Sequence, residues 1–308
     1  MLIRIKSIVN ESISLMSEPT GFVLINKESG WTSHDVVAKA RSILKTRAIG
    51  HAGTLDPMAT GLLILGVGSA TKLLNYLSNQ PKTYKATIRL GVATETDDAD
   101  GEITEVRDAS DLSQDQILNA LKNFIGEIQQ IPSKYSAIKV NGVRSYTRAR
   151  SGEEFELPSR LVTIYDIKIG EIQKFEDRVD IEVSVSCSSG TYIRAIARDL
   201  GELLGVGGHL IKLDRESIGE FAVTDAHKVG EPFKILPMSQ VARKLFPVRV
   251  LSDAEHLEIA YGRGIASNST DALTAGLAPG MQSDAELVAL LENRSGRAHP
   301  IKVFQGRN

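Results

Sequence analysis

Strand and helix periods take turns along most of the chain. Phe22 to Asn26 is a short apolar run of strand character, followed by the turn-forming Glu28-Ser29-Gly30. Thr32 or Ser33 then caps a predicted helix whose Val36, Val37, Ala40, Ile43 and Leu44 share one face. Leu62 to Val67 is a second apolar run, and Ser69 to Leu77 reads as a helix. From Lys82 to Leu90 the alternation puts Tyr84, Ala86, Ile88 and Leu90 on one strand face, so Tyr84 points with the buried side. Ser113, with Gln116 three residues on, opens an amphipathic helix through Ile117, Leu121, Phe124 and Ile125. Alternation returns at Val179, Ile181, Val183, Val185 and Cys187. Gly190-Thr191 then starts a helix with Ile193, Ile196, Ala197 and Leu200 inward. Arg194 falls at the edge of that stripe, where a long side chain can reach into a cleft.

The stretch Gly50 to Gly61 has no period and holds three glycines with Pro57, so it reads as a structured loop. Gly66-Val67-Gly68-Ser69-Ala70-Thr71-Lys72 imitates a phosphate loop, but that motif needs glycine directly before the lysine and Ser or Thr after it. A strand-to-helix turn is the better reading, and Gly205, Gly207 and Gly208 likewise read as turn residues. Past Pro247 the pattern changes to short strands, glycines and a final hairpin split by Asn293-Arg294-Ser295-Gly296. The predicted organisation is therefore an N-terminal extension (1–18), a main domain (19–245) and a small, mainly β module (246–308). Without regular βαβ alternation the class is α+β, with a mixed, mostly antiparallel central sheet flanked by helices.

Composition narrows the chemistry. A chain of 308 residues with 42% hydrophobic and 24% charged positions can bury a substantial core and is neither disordered nor a rod. Its single cysteine, Cys187, can form no internal disulfide, and six scattered histidines show no zinc spacing. These features fit a reducing cytoplasm and predict no metal. No apolar run reaches membrane-spanning length, the first fifteen residues are too polar for a secretory signal, and Met16 is an alternative start. A net charge of −2 does not by itself advertise a nucleic-acid binder. The charge is unevenly placed, however. Glu95, Asp97, Asp98, Asp100, Glu102 and Glu105 form an acidic block, whereas Lys134, Lys139, Arg144, Arg148 and Arg150 run without an intervening acid. Such a run can be a solvated face or a phosphate-binding one.

Gly50-His51-Ala52-Gly53-Thr54-Leu55-Asp56-Pro57 places one acid in a loop of glycines and threonine between Leu55 and Pro57. That setting suits a carboxylate held partly out of water. It equally suits an Asx turn, in which aspartate bonds its own backbone, and spacing alone leaves both readings open.

The run Gly50 to Leu63, GHAGTLDPMATGLL, resembles the signature of the TruB family of pseudouridine synthases. Further matches are Ser33-His34-Asp35-Val36-Val37, Lys82-Thr83-Tyr84, Tyr135-Ser136-Ala137-Ile138-Lys139-Val140-Asn141-Gly142 and Gly190-Thr191-Tyr192-Ile193-Arg194. Together they cover nearly all of residues 20 to 245. Two positions depart from the pattern. Glu28 stands where proline commonly follows Lys27, and Asp214 precedes Arg215 where two arginines are common, which removes one expected phosphate contact. The last sixty or so residues resemble a PUA-like RNA-binding module only loosely.

The resemblance implies a cofactor-free isomerisation of uridine to pseudouridine in the T-loop of tRNA, at position 55. Asp56 would be the catalytic nucleophile, its carboxylate attacking the anomeric carbon, assisting departure as a glycal forms or adding to the uracil ring; Arg194 would be its partner, and Tyr84 a catalytic residue that stacks on the uracil beside the ribose, where a proton must move. Tyr192 would support the pocket and Leu213 would form an apolar wall. His51 would fill the stack vacated by the flipped base, with Lys27, Lys72 and the basic run as phosphate contacts. Residue type alone offers plainer readings: a core tyrosine, a surface arginine, a structural histidine. The partner implied is the tRNA T-arm, the expected state a monomer. A folding chaperone on the same scaffold is a rival function, and a phosphate-loop NTPase is disfavoured by motif order.

Overall fold

The computed structural model describes residues 19–136, 139–140, 143–145, 148, 153, 155–280 and 285–304, with the backbone alone at 139, 140, 143 and 144. The proposed extension with Met16, Ala137, Ile138, Asn141 and Gly142 of the Tyr135 to Gly142 motif, and Arg150 lie outside the described residues, as do the side chains of Lys139 and Arg144.

A ten-stranded sheet forms the body. Its path runs His227–Lys228, Gly21–Lys27, Thr60–Val67, Gly208–Ile218, Lys82–Leu90, Val179–Cys187, Arg160–Lys174 and Gly126–Gln130, with Phe221–Ala222 and Ile49–His51 attached beside it. Neighbours are antiparallel except at two pairings, Gly21–Lys27 with His227–Lys228 and Gly208–Ile218 with Thr60–Val67. The architecture is α+β with a mixed, mostly antiparallel sheet. A separate five-stranded sheet, beginning at Val248–Val250 and ending in the hairpin Leu287–Arg294 and Arg297–Val303, makes the C-terminal part.

Burial explains which patterns alternate. In Lys82–Leu90 the side chains of Tyr84, Ala86, Ile88 and Leu90 enter one core with Ile181, Val183 and the apolar faces of helices Gln114–Lys122 and Ile193–Leu203. Strands Gly21–Lys27 and Thr60–Val67 are buried on both faces and therefore read as unbroken apolar runs. Val23, Ile25, Leu63 and Leu65 meet helix Ser33–Leu44 on one side. Phe22, Leu24, Leu62 and Ile64 share a core with Val241, Ala275, Leu277 and Leu287 on the other, so the C-terminal sheet packs onto the main one. A reciprocal clip reinforces that contact: Lys72 donates to the Val303 carbonyl and Lys302 to the Lys72 carbonyl.

Helix Ser33–Leu44 starts at a capping box in which Thr32 and Asp35 exchange hydrogen bonds. Ser113 and Gln116 do the same for helix Gln114–Lys122. The expected inward places of Ile43 and Ile125 are corrected, since both are exposed. Ile43 sits in the final turn beyond the sheet, and Ile125 lies past the last helical residue, where the 3.6-residue period no longer applies. The helix expected over Ser69 to Leu77 is a 3-10 segment, Gly68–Leu73, running into a short α-helix, Leu74–Ser78.

Helix Ile193–Leu203 lies unusually close to the sheet. A Cβ on Gly201 would stand 2.1 Å from the Gly207 carbonyl carbon, and one on Gly208 would stand 2.5 Å from the Ala197 carbonyl oxygen. Gly208 is thus the first residue of a strand rather than a turn residue, chosen because two backbones touch there. This approach sets the depth at which Arg194 enters the molecule. Gly201→Ala, although favoured by helix propensity, is expected to destabilise the fold by roughly 1–3 kcal/mol through overpacking. A chemical denaturation curve would show it as a lower midpoint at unchanged slope.

Candidate active site

The loop carrying Asp56 is fixed through its carbonyl groups. Ser33 Oγ accepts from the Leu55 amide at 2.9 Å and lies 3.2 Å from the Leu55 carbonyl, to which it donates. Buried Lys27 donates to the carbonyls of Pro57, Trp31 and Glu28. Arg215 donates to those of Gly53, Thr54 and Leu62. Three buried side chains from three elements therefore satisfy this irregular backbone, as a buried loop requires. Gly53 takes φ +90°, a conformation that disfavours any side chain there. The Ala59 amide closes a turn on the Asp56 carbonyl, but no backbone amide among the described residues bonds the Asp56 carboxylate. The Asx-turn reading is not realised, and the carboxylate is left for another partner.

That partner is Arg194. Its Nε lies 3.0 Å from Asp56 Oδ2, and Arg194 is 3% exposed whereas the Asp56 side chain is 32% exposed. The guanidinium is held from behind. Nη1 donates to Asp98 Oδ2 at 3.0 Å and to the Thr96 carbonyl at 2.9 Å, and Nη2 donates to the Tyr135 carbonyl at 2.9 Å. Asp98 in turn accepts from Thr96 Oγ1 and from the Asp100 amide. Burial pushes the Asp56 carboxyl above its usual range; Arg194 opposes that rise, nearby Asp98 adds to it, and Lys27 opposes it more weakly.

Asp56 and Arg194 face a cavity of about 310 Å³, lined also by Tyr84, Tyr192, Leu213, Lys82 and Arg215. A second lobe of about 510 Å³ opens on the other side of the same pair, toward His34, Asp98 and Tyr135. Strand register builds the first. Lys82–Leu90 pairs with Gly208–Ile218 so that Tyr84 lies opposite Arg215 and Ala86 opposite Leu213. Burial raises the Tyr84 hydroxyl's pKa, and the facing Arg215 guanidinium works against that rise. Tyr192 closes the other wall, its amide donating to Gln130 Oε1 and its carbonyl accepting from Gln130 Nε2, with the Arg160 guanidinium 5.5 Å from its ring centre.

The description TruB family pseudouridylate synthase (N terminal domain) fits residues 41–193. A tRNA pseudouridine synthase B of Paenarthrobacter aurescens (strain TC1) is 49% identical over 295 residues, covering 92% of this chain and 95% of the relative. The chain belongs to the TruB family. A second relative of that description, from Streptomyces coelicolor, is 46% identical over 295 residues, covering 93% of this chain and 97% of its own. The fold also matches a chain of the crystal structure of a Cbf5-Nop10-Gar1 complex, with TM-score 0.69 and 25% identity over 93% of this chain and 85% of that one. The C-terminal sheet is consistent with the PUA-like module of such proteins. As a TruB-family protein the chain is an isomerase that converts uridine to pseudouridine in tRNA. No helix among the described residues is long and apolar enough to cross a membrane.

Of the residues singled out in this TruB-family sequence, the structure brings Asp56, Arg194, Tyr84, Tyr192 and Leu213 around one cavity. The others stand elsewhere. Lys27 is corrected as a phosphate contact: it is fully buried, with carbonyl partners beneath the Asp56 loop. Lys72 lies at the C-terminal sheet, its ammonium on Val303 and near the Phe304 ring. His51 lines neither cavity; its ring meets that of His34 edge to face at 5.7 Å. Asp214 accepts from Thr60 Oγ1, which accounts for an acid at this position. Residue reading missed Asp98, hidden in an acidic block that looks like a solvated face, and Gln130, an unremarked strand glutamine. The only available signal for Asp98 was that an acid in the block had to compensate a buried arginine.

Two outcomes follow from this network. Asp98→Ala strips Arg194 of a buried counter-charge and is expected to cost about 3 kcal/mol, measured by denaturation. Arg194→Gln removes the cation that restrains the rise of the Asp56 pKa. With the ionised carboxylate as the reacting form, the role proposed below, the acid limb of the kcat/KM profile moves to higher pH in this variant, checked by single-turnover rates across pH.

Proposed function

We propose that the chain isomerises the T-loop uridine of tRNA, position 55, with the target base flipped into the Asp56 cavity and Asp56 acting as nucleophile. One observation carries the reading: Asp56 is the partly open carboxylate of a cavity whose wall also holds two tyrosines, a leucine and the buried Arg194 that pairs with it. A stacked base cannot present its sugar to a group so placed, so the nucleotide must be extruded, at a cost on the order of a few kcal/mol. Tyr84 and Leu213 offer the flat and apolar surfaces that a pyrimidine needs. The restrained carboxylate of Asp56, aimed by Arg194, attacks the anomeric carbon as the base departs.

In this reading His51 occupies the gap left in the RNA stack, residues 19–245 form the catalytic domain and residues 246–308 the RNA-gripping module. The enzyme works as a cytoplasmic monomer on the T-arm. Lys72, with exposed Lys134, supplies phosphate contacts at the periphery.

Asp56→Asn is isosteric and removes only the charge. It is expected to abolish pseudouridine formation in a T-arm hairpin, a loss of at least about 10⁴-fold on the scale of removing a covalent nucleophile, while RNA affinity stays within a few-fold. Mass-spectrometric detection of pseudouridine with filter binding reads both quantities. Full activity in this variant removes Asp56 from the mechanism, and a product at another uridine removes the T-loop assignment.

A further inference from the structure

The same cavity holds a second charged feature that the Asp56 chemistry leaves unused. Lys82 is 6% exposed and Arg215 1%, and both line the cavity. Neither makes an ion pair among the described residues. Lys82 Nζ donates to the carbonyls of Ser78 at 2.7 Å and Gln80 at 2.8 Å, which leaves its third N–H free. Arg215 spends its donors on the carbonyls described above. The adjacent acid, Asp214, turns to Thr60 instead. The two cations converge: a side chain on Gly53 would touch Arg215 Nη1 at 3.6 Å and Lys82 Cε at 3.8 Å.

Two neighbouring buried cations with no acid between them are costly, and proteins place such groups where a negative charge is to be received. Burial and the facing Arg215 lower the Lys82 ammonium to about 8, so the fold holds it against an electrostatic gradient. Across the cavity Asp56 presents a carboxylate, and the Arg194 beside it is shared with a second carboxylate, Asp98, that lies behind the wall. Tyr84 lies between the two regions, its hydroxyl sensing both Arg215 and Asp56. The cavity is therefore polarised, negative at one wall and positive at the other.

Breaking a nucleoside's C1′–N1 bond separates charge in the same sense. The sugar becomes electron-poor at C1′ and the departing uracil keeps the bonding pair, spread over N1 and the ring oxygens. We propose that Lys82, backed by Arg215, stabilises the detached uracil as an anion by donating its free N–H to a ring carbonyl oxygen. This rests on the uridine-isomerising reading of the Asp56 cavity. The pair held on the ring then forms the C1′–C5 bond as the bond between C1′ and the Asp56 oxygen breaks and returns the carboxylate; C5 loses its proton and N1 takes one up, so atoms and electrons balance without a co-reactant. A preorganised donor in a dry site costs no reorganisation when the charge appears.

The test compares T-arm hairpins carrying uridine or 5-fluorouridine at the target position, with glycosidic cleavage followed in single turnover. Fluorine withdraws electrons and stabilises the ring anion without help from the protein. Lys82→Met is expected to slow uridine cleavage by roughly 10²-fold, on the scale of removing one oxyanion donor, and to slow fluorouridine cleavage clearly less. Lys82→Arg, which keeps the charge and guards against misfolding of the first variant, should retain the wild-type ratio of the two rates. Equal slowing of both RNAs by Lys82→Met, no slowing at all, or a changed ratio in Lys82→Arg would overturn the inference while wild-type turnover leaves the substrate reading standing. Wild type that leaves both hairpins intact would overturn the substrate reading and this inference together.

Discussion

The guanidinium of Arg194 is the interaction on which the site depends. It is almost wholly withdrawn from water, and such a charge is tolerable only when surrounded by good acceptors. Two carboxylates and two backbone carbonyls meet that need, and in doing so they tie together four separate stretches of chain: the Asp56 loop, the Thr96 to Asp98 turn, the segment at Tyr135 and helix Ile193–Leu203. The carboxylate that faces the cavity is thereby aimed, and the rise of its pKa restrained, by a group that is itself immobilised. Without Asp98 behind it, Arg194 would have only one anion to share, and its direction would be set by Asp56 rather than the reverse.

The Asp56 loop shows how an irregular segment is kept in place by long side chains. Lys27 and Arg215 are by type surface residues, yet both are sunk beneath the loop with donors on its carbonyl oxygens. Their stems fill space and their heads replace the hydrogen bonds that regular structure would have provided. Arg215 serves twice, since the strand pairing that sets it opposite Tyr84 also makes it part of the cavity wall.

Much of the framework could be read from residue periodicity. The alternation in Lys82–Leu90 and in Val179–Cys187 corresponds to adjacent antiparallel strands, and the capping signals at Thr32 and Ser113 mark true helix starts. Tyr84 and Arg194 could be placed near a cleft because a strand face and a helix stripe have fixed geometry. Asp56 could be seen as unusual, but its pairing with Arg194 could not be read from residue pattern, because a loop has no period. Lys27 and Asp98 were illegible for a deeper reason. Whether a charged side chain is solvated or buried depends on contacts between distant segments, and those are decided by the packing of the whole sheet rather than by any local pattern.

Strands Gly21–Lys27 and Thr60–Val67 send alternate side chains into two different cores. A plate gripped on both faces has no lubricated plane along which to shear, and the Asp56 loop is bolted to that plate by the Thr60 strand that follows it. At that plate, adaptation to a bound RNA falls to the nucleic acid. The fold behaves as an anvil, against which a pliable loop of RNA is reshaped, and discrimination between RNAs becomes a matter of how cheaply each one can be bent to fit.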